Sequence, residues 1–342
     1  MVRTIQTRVL DIDPAAMDPG KVQEVASALK EGKVVAVPTE TVYGLAADAF
    51  NADAVEGIFT AKGRPSDNPL IVHVHSRKML SDVVEAVPEK AERLISRFWP
   101  GPLTMILKKK DTIPNNVTAG METVGVRMPS HPVFREISRA AGIPLAAPSA
   151  NYFGRPSPTS AEDVQKDMEG RIPLIISSGE CLTGIESTIL SLVDDPPILL
   201  RPGGVSLEDI KKVVGDVKVH DSVVDPNKSV DTPDSPGMKY KHYSPEASVI
   251  IIEDVERFKQ LLEDKDDERI MLISSRDIDI PSRADVDHHR FKDSAEMARN
   301  LFSSFRRADS EGIRKIYVLP VSEEGIGMGL MNRIKKAATS YV

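Results

Sequence analysis

A single cysteine, Cys181, stands among 342 residues, which excludes a disulfide framework and a thiolate zinc cluster. As a lone thiol it is expected to be a small packed residue rather than a nucleophile. Aromatic residues are scarce, at 5%, and sequence-tolerant binding of single-stranded RNA normally needs stacking rings as well as charge. Basic residues are not in excess: 44 Lys and Arg face 51 Asp and Glu, for a net charge of −7. That balance argues against a generalised polyanion-coating protein and leaves only local basic sites. No apolar run approaches the roughly 18 residues a membrane span needs, and Met1-Val2-Arg3-Thr4-Ile5-Gln6 lacks a signal peptide's apolar core. The expected compartment is the cytoplasm. G-x-x-x-x-G-K-[ST], G-x-G-x-x-G after a strand, G-x-S-x-G, H-E-x-x-H and C-x-x-C are all missing, so the common routes to a P-loop enzyme, a dinucleotide enzyme, a serine hydrolase, a zincin or a dithiol enzyme are closed. His73-Val74-His75 is read as a packed or solvated pair, because no third metal ligand stands nearby.

What is present describes a folded protein of more than one domain. The length is about twice that of a usual domain, and 41% hydrophobic with 28% charged residues is ordinary for a globular chain. Asp18-Pro19-Gly20 ahead of Val22, Val25, Ala26 and Leu29 predicts a capped helix over 19–31. Short branched runs at 34–37, 70–72, 103–107, 188–190 and 198–200 predict buried strands, with helices at 52–61, 77–98, 132–141 and 160–168 between them. Residues 1–215 therefore read as one α/β domain with a largely buried sheet. The polar, Asp- and Pro-rich text that follows reads as a linker over 216–246. Strand, helix, strand units from Val249 to Leu319 make residues 247–342 a small parallel α/β domain.

The polar loops at strand ends carry the chemistry. Pro38-Thr39-Glu40-Thr41-Val42-Tyr43-Gly44-Leu45 offers hydroxyls and a carboxylate beside a tight glycine. Lys62-Gly63-Arg64-Pro65-Ser66-Asp67-Asn68-Pro69 holds cations on a stiff loop suited to phosphate or carboxylate. Arg127 ends an apolar strand and must find an anion, either a substrate carboxylate or a structural partner. Ala147-Pro148-Ser149-Ala150-Asn151 allows close backbone approach, and Arg155-Pro156-Ser157, Glu186-Ser187-Thr188 and Arg201-Pro202-Gly203 complete the set. Lys62, Arg64, Arg127 and Arg201 around one pocket would repel unless a multiply charged anion sat among them, and a triphosphate with Mg²⁺ is the natural candidate. No convincing nucleophile is present, so catalysis by positioning and electrostatic stabilisation is expected. Ser235-Pro236-Gly237-Met238-Lys239-Tyr240-Lys241-His242-Tyr243 is dense in rings and cations and reads as a lid.

Together, Pro-Thr-Glu-Thr-Val-Tyr-Gly-Leu at 38–45, Lys-Gly-Arg-Pro at 62–65, Asn-Pro-Leu-Ile-Val-His at 68–73, Trp-Pro-Gly-Pro-Leu-Thr at 99–104, Ala-Pro-Ser-Ala-Asn at 147–151, Glu-Ser-Thr-Ile at 186–189 and Arg-Pro-Gly at 201–203 resemble the threonylcarbamoyl-AMP synthase family. The 235–243 string and Met331-Asn332-Arg333 are similar to the family's long form. The resemblance implies a YrdC-like twisted mixed sheet with flanking helices plus a smaller Rossmann-like α/β C-terminal domain. It implies a nucleotidyltransferase that joins L-threonine, bicarbonate and ATP into threonylcarbamoyl-AMP and pyrophosphate, for threonylcarbamoyladenosine in tRNA. It further implies that Thr39, His73, Arg127, Ala147 through its backbone, and Ser187 hold threonine. Lys62, Arg64, Ser66, Asn68, Thr123, Ser149, Asn151, Ser157 and Arg201 would hold ATP with its Mg²⁺, and Tyr240 and His242 would close over it. Transient contact with tRNA or a downstream transferase complex is implied as well; no general base is indicated. Two other readings remain beside it. One is an RNA-binding YrdC-like module without adenylate-forming activity. The other is a carbamoyl-phosphate-using transferase like the related domain of hydrogenase maturation proteins, whose zinc-finger-like segments one cysteine cannot supply.

Overall fold

Caps and periodicity place the helices. Asp18 accepts from the Gly20 and Lys21 amides ahead of the helix Pro19–Lys30, and the apolar stripe Val22, Val25, Ala26, Leu29 is buried. Asn51 and Ser160 cap Ala52–Lys62 and Ala161–Met168 in the same way. The stretch 77–98, expected as one helix, is two: Arg77–Val83 and Glu89–Phe98. Pro88 has no amide hydrogen and bars the helical region to the residue before it. The chain leaves the helix at Val84, which is extended and bridges Lys109, and restarts with Pro88 as N-cap. The computed structural model describes residues 5–225, 243–263, 269–278 and 285–342; Tyr240 and His242, with most of the expected lid, lie outside them.

Among the described residues the first sheet has 11 strands. They are β1 (Arg8–Asp11), β2 (Val35–Val37), β3 (Gly44–Asp48), β4 (Ile71–His73), β5 (Leu103–Lys108), β6 (Thr123–Arg127), β7 (Leu145–Ala146), β8 (Leu174–Ser177), β9 (Thr188–Ser191), β10 (Ile198–Arg201) and β11 (Lys218–Val219). Their order is β1-β8-β2-β3-β7-β4-β6-β5-β9-β10-β11. Parallel pairs such as β4/β6 and β5/β9 alternate with antiparallel ones such as β5/β6 and β9/β10, so the sheet is mixed. Both faces are covered: Ala36, Leu45 and Ala47 enter one core, and Val35, Val37 and Ala46 enter the other against Val25, Leu29 and Phe134. That alternation is the period of a strand buried on both sides.

The second sheet contains β12 (Ser248–Ile251), β13 (Ile270–Ser274), β14 (Val286–Arg290), β15 (Lys315–Val318) and β16 (Ala338–Tyr341), ordered β14-β13-β15-β12-β16. Every pair is parallel. The helices Ser294–Ser310 and Ile326–Ala337 cover one face, and Phe258 and Leu262 of Val255–Glu263 cover the other. The first of these cores also takes in Val42 and Ile185 from the N-terminal unit, so the units share apolar packing. Among the described residues no helix is long and apolar enough to cross a membrane.

Candidate active site

The pocket opens at one end of the first sheet, where β4, β6 and β10 finish and β5 and β9 begin. Registry builds it: His73 lies opposite Arg127 and Leu145, and Thr104 lies opposite Arg127. Its wall includes Thr41, Arg64, His73, Arg127, Ala147, Ser149, Glu186, Ser187, Arg201 and Tyr243 around a space of about 70 Å³.

Arg127 is 4% exposed. Its Nη1 donates to Thr41 Oγ1 at 2.9 Å, its Nε to the Gly101 carbonyl at 3.3 Å, and its Nη2 stands 2.8 Å from Glu40 Oε1. The sequence left Arg127 open between a substrate clamp and a structural ion pair; it has a buried structural partner and also lines the pocket. Beside it His73 is buried, with Nδ1 unpartnered. Burial and then Arg127 pull the His73 pKa down to about 3, so the ring is neutral at physiological pH. Thr39 is not on the wall: its hydroxyl donates to the Val42 carbonyl at 2.6 Å and lies 2.9 Å from Thr41 Oγ1, bracing the loop that presents Thr41.

At the other end, Arg64 Nη2 donates to the carbonyls of Asn68 and Pro69 at 2.9 and 3.1 Å. Lys62 donates to the carbonyls of Ser149 and Asn151, and burial, then Arg64, draw its pKa well below the ordinary amine value. Ser149 donates to Asn151 Oδ1 at 2.6 Å. Ser187 links back to the first end: its Oγ lies 2.8 Å from Thr104 Oγ1, the residue opposite Arg127, and accepts from Arg201 Nη2 at 3.2 Å. Ser157 donates to Glu186 Oε1 at 2.5 Å. Burial pushes the Glu186 pKa up, but Arg333 and Arg201 beside it and the Ser157 bond bring it below the usual carboxylate value.

Of the residues singled out from the sequence, His73, Arg127, Ala147, Ser187, Arg64, Ser149 and Arg201 line the pocket. Lys62, Asn151 and Ser157 join it through the bonds just described. Asn68 is buried with both amide atoms unpartnered, Ser66 is exposed, and Thr123 begins β6, at the opposite end from Arg127. Cys181 is buried, and burial raises its thiol pKa. His73 and His75 part company because β4 ends at His73; His75 lines a separate cavity with Arg135 and Arg139. Thr41, Glu186 and Tyr243 on the wall, and Glu40 behind Arg127, lie within the polar strings without a sequence signal of their own. What marks them is burial of polar groups on loops, visible only once the loops meet. Tyr243 carries a positive φ of 67° and stacks on Phe302 with ring centroids 5.4 Å apart, a strained placement of the kind found at functional sites.

Residues 27–203 match the family of Sua5, YciO and YrdC proteins described as telomere recombination, and residues 205–339 match the threonylcarbamoyl-AMP synthase C-terminal domain. The threonylcarbamoyl-AMP synthase of Pyrococcus abyssi is 44% identical over 93% of this chain and 94% of its own length. The chain belongs to the threonylcarbamoyl-AMP synthase family. The synthase of Bacillus subtilis is 43% identical, with 96% of each chain covered. The crystal structure of P. abyssi Sua5 complexed with L-threonine superposes with a TM-score of 0.91 at 42% identity, covering 98% of this chain and 100% of that one. As a member of the threonylcarbamoyl-AMP synthase family the chain is a nucleotidyl-transferring enzyme of two-domain α/β fold, with the mixed sheet and the smaller parallel sheet expected of it.

Proposed function

We propose that the pocket joins L-threonine, bicarbonate and ATP into threonylcarbamoyl-AMP and pyrophosphate. The observation that carries this is a pocket whose ends differ in charge and donors: Arg127 beside a neutral histidine at one and Arg64 near Ser149 at the other, with Arg201 bonded to the Ser187 hydroxyl beside them. At the first end, Arg127 holds the threonine carboxylate, with His73, Ser187 and the Ala147 backbone as neutral partners and Thr39 bracing the loop. The threonine amine attacks the carbon of bicarbonate, or of CO₂ formed from it by loss of hydroxide; the C–O bond to that hydroxyl breaks, the amine's proton joins the departing hydroxide as water, and a carbamate forms. A carbamate oxygen then attacks the α-phosphate of ATP, and the bond to the bridging oxygen breaks to release pyrophosphate. The protein aligns two anions and neutralises the leaving group, which is work for fixed cations and donors.

The ATP end comprises Lys62, Arg64, Ser149, Asn151, Ser157 and Arg201, with Ser66, Asn68 and Thr123 at its margin and Tyr240 and His242 closing from the linker. Among the described residues no group of three or more His, Cys, Asp and Glu could hold a metal. A Mg²⁺ brought with ATP would supply charge neutralisation for the departing pyrophosphate, beside the cations Lys62, Arg64 and Arg201. In this reading residues 1–215 hold both substrates, the part of 216–246 that follows β11 and the helix Asp221–Val224 closes over them, and residues 247–342 support the closed state. The product passes in the cytoplasm to the transferase complex that modifies tRNA.

The test is to incubate the chain with ATP, Mg²⁺, bicarbonate and L-threonine, omitting each in turn. Pyrophosphate and a labile adenylate seen by mass spectrometry only when all are present is the expected result. ATP bound without adenylate formed would refute the reading in favour of a binding role.

A further inference from the structure

The helix Ile326–Ala337 belongs to the C-terminal unit, yet its Arg333 has no exposed surface and ends among loops of the N-terminal unit. Its Nε donates to Glu186 Oε2 at 2.8 Å, and its Nη1 donates to the Pro202 carbonyl at 2.7 Å. Glu186 hands the contact to Ser157, whose hydroxyl it accepts at 2.5 Å. Pro202 directly follows Arg201, whose Nε donates to the Ser187 carbonyl at 3.1 Å. One turn before Arg333, Gly329 lies so close to Gly203 that a Cβ there would stand 2.9 Å from the Gly203 Cα. The helix backbone therefore sets the loop behind Arg201 with no side chain between. The clamp for the threonine carboxylate is held differently, because Arg127 takes its hydrogen bonds and ion pair from Gly101, Thr41 and Glu40 of its own unit, and Ser187, though bonded to Arg201, is also held by Thr104 of that unit.

We propose that Arg333 is a positioning residue for the nucleotide end of the pocket, setting Ser157 through Glu186 and Arg201 through the Pro202 carbonyl. This rests on the assignment above of ATP to that end. A guanidinium fork suits the task, since it fixes direction as well as distance on a carboxylate and a carbonyl at once. A lysine reaches one of them. Fastening the two units is also served elsewhere: Arg306 of the Ser294–Ser310 helix binds Asp167 and the Pro156 carbonyl, and Arg299 Nε donates to the Leu182 carbonyl at 2.9 Å. A role confined to fastening predicts losses that do not discriminate between the two substrates.

The experiment measures pyrophosphate release by the full chain with ATP and threonine varied separately. The variants are Arg333→Lys, the double variant Arg333→Met with Glu186→Gln, and Arg299→Ala. The double variant removes both members of the ion pair, so neither is left buried without the other. In Arg333→Lys and in the double variant the KM for ATP is expected to rise about tenfold or more, as small misplacements of binding groups do, while that for threonine stays within about twofold. Arg299→Ala should behave as wild type. Equal rises in both KM values, an unchanged KM for ATP, or the same split in Arg299→Ala would overturn the inference. If wild type releases no pyrophosphate, the functional reading has failed. The positioning role is then judged by calorimetry with inorganic pyrophosphate and with L-threonine. Weaker pyrophosphate binding alone in the two Arg333 variants upholds the role, and parallel loss of both or loss of neither overturns it.

Discussion

Arg127 and Glu40 form a buried pair whose value depends on both members being present. Removing the guanidinium leaves a buried carboxylate unpaired, which costs about 3–5 kcal/mol. Arg127→Ala is therefore expected to lower the melting temperature as well as activity, while Arg127→Lys keeps the charge and loses the fork. For Arg127→Lys we expect the KM for threonine to rise about tenfold with that for ATP little changed; equal effects on both would make Arg127 purely structural. His73 gives a pH prediction of definite sign. Its folded pKa of about 3 lies below the ordinary 6.5, so the unfolded chain binds the extra proton first as pH falls. Stability is fully present above pH 6.5 and is lost by about 1.4 kcal/mol per pH unit on the way down to about pH 3. In urea melts across that window, His73→Asn should show a shallower slope than wild type; identical slopes would remove the buried neutral imidazole as the cause. Arg127 was legible in the sequence because a cation ending an apolar strand must meet an anion. Glu40 was not, because a carboxylate in a polar loop looks solvated until the loop is seen to fold inward.

Helix and loop positions were read with uneven success, and the reason is local in each case. The helix Pro19–Lys30 carries its own cap and stop, so short-range chemistry decides it. The split at Val84 depended on Pro88 and on a bridge to Lys109, and the second of these is a tertiary contact. Glycines at the junction behave likewise. A Cβ on Gly203 would meet the Glu186 carbonyl at 2.2 Å and the Thr188 amide at 2.6 Å, whereas one on Gly329 would meet the Gly203 Cα and Ile185 Cδ1 at 2.9 Å. Overpacking costs about 1–3 kcal/mol where neighbours can shift. Gly329→Ala should fall in that range, and Gly203→Ala should cost more, because backbone on both sides cannot move aside. Thermal melts of the two variants check the order; a milder Gly203→Ala would mean that the loop relaxes freely.

The whole molecule couples its units through charge and packing at once. The buried residues of the first sheet's cores run no further than Val217, with Met328 of the C-terminal unit packed against them, so a fragment of residues 1–225 retains nearly all of these cores and should unfold cooperatively. It loses Arg333 from Glu186 and Arg306 from Asp167, and it exposes Val42 and Ile185. We expect its pyrophosphate release to fall at least about tenfold, roughly 1.4 kcal/mol in the barrier, with a smaller loss of stability by circular dichroism. Full turnover by a well-folded fragment would remove the C-terminal unit from the reaction.

Sequence alone determined the class of fold, the strands that line the pocket and most of the polar loops around it. Alternation, caps and Pro-Gly punctuation are encoded within a few residues of one another, and the loop strings are themselves the chemistry. The tertiary structure decided which of those residues face the same space. Thr41 rather than Thr39 reaches the wall, Thr123 starts its strand at the far end, His73 and His75 enter different cavities, and Arg333 arrives from the other unit. Each outcome depends on registry and on contacts between segments far apart in the chain, and the free energy of burying a charge is set by what the fold places around it.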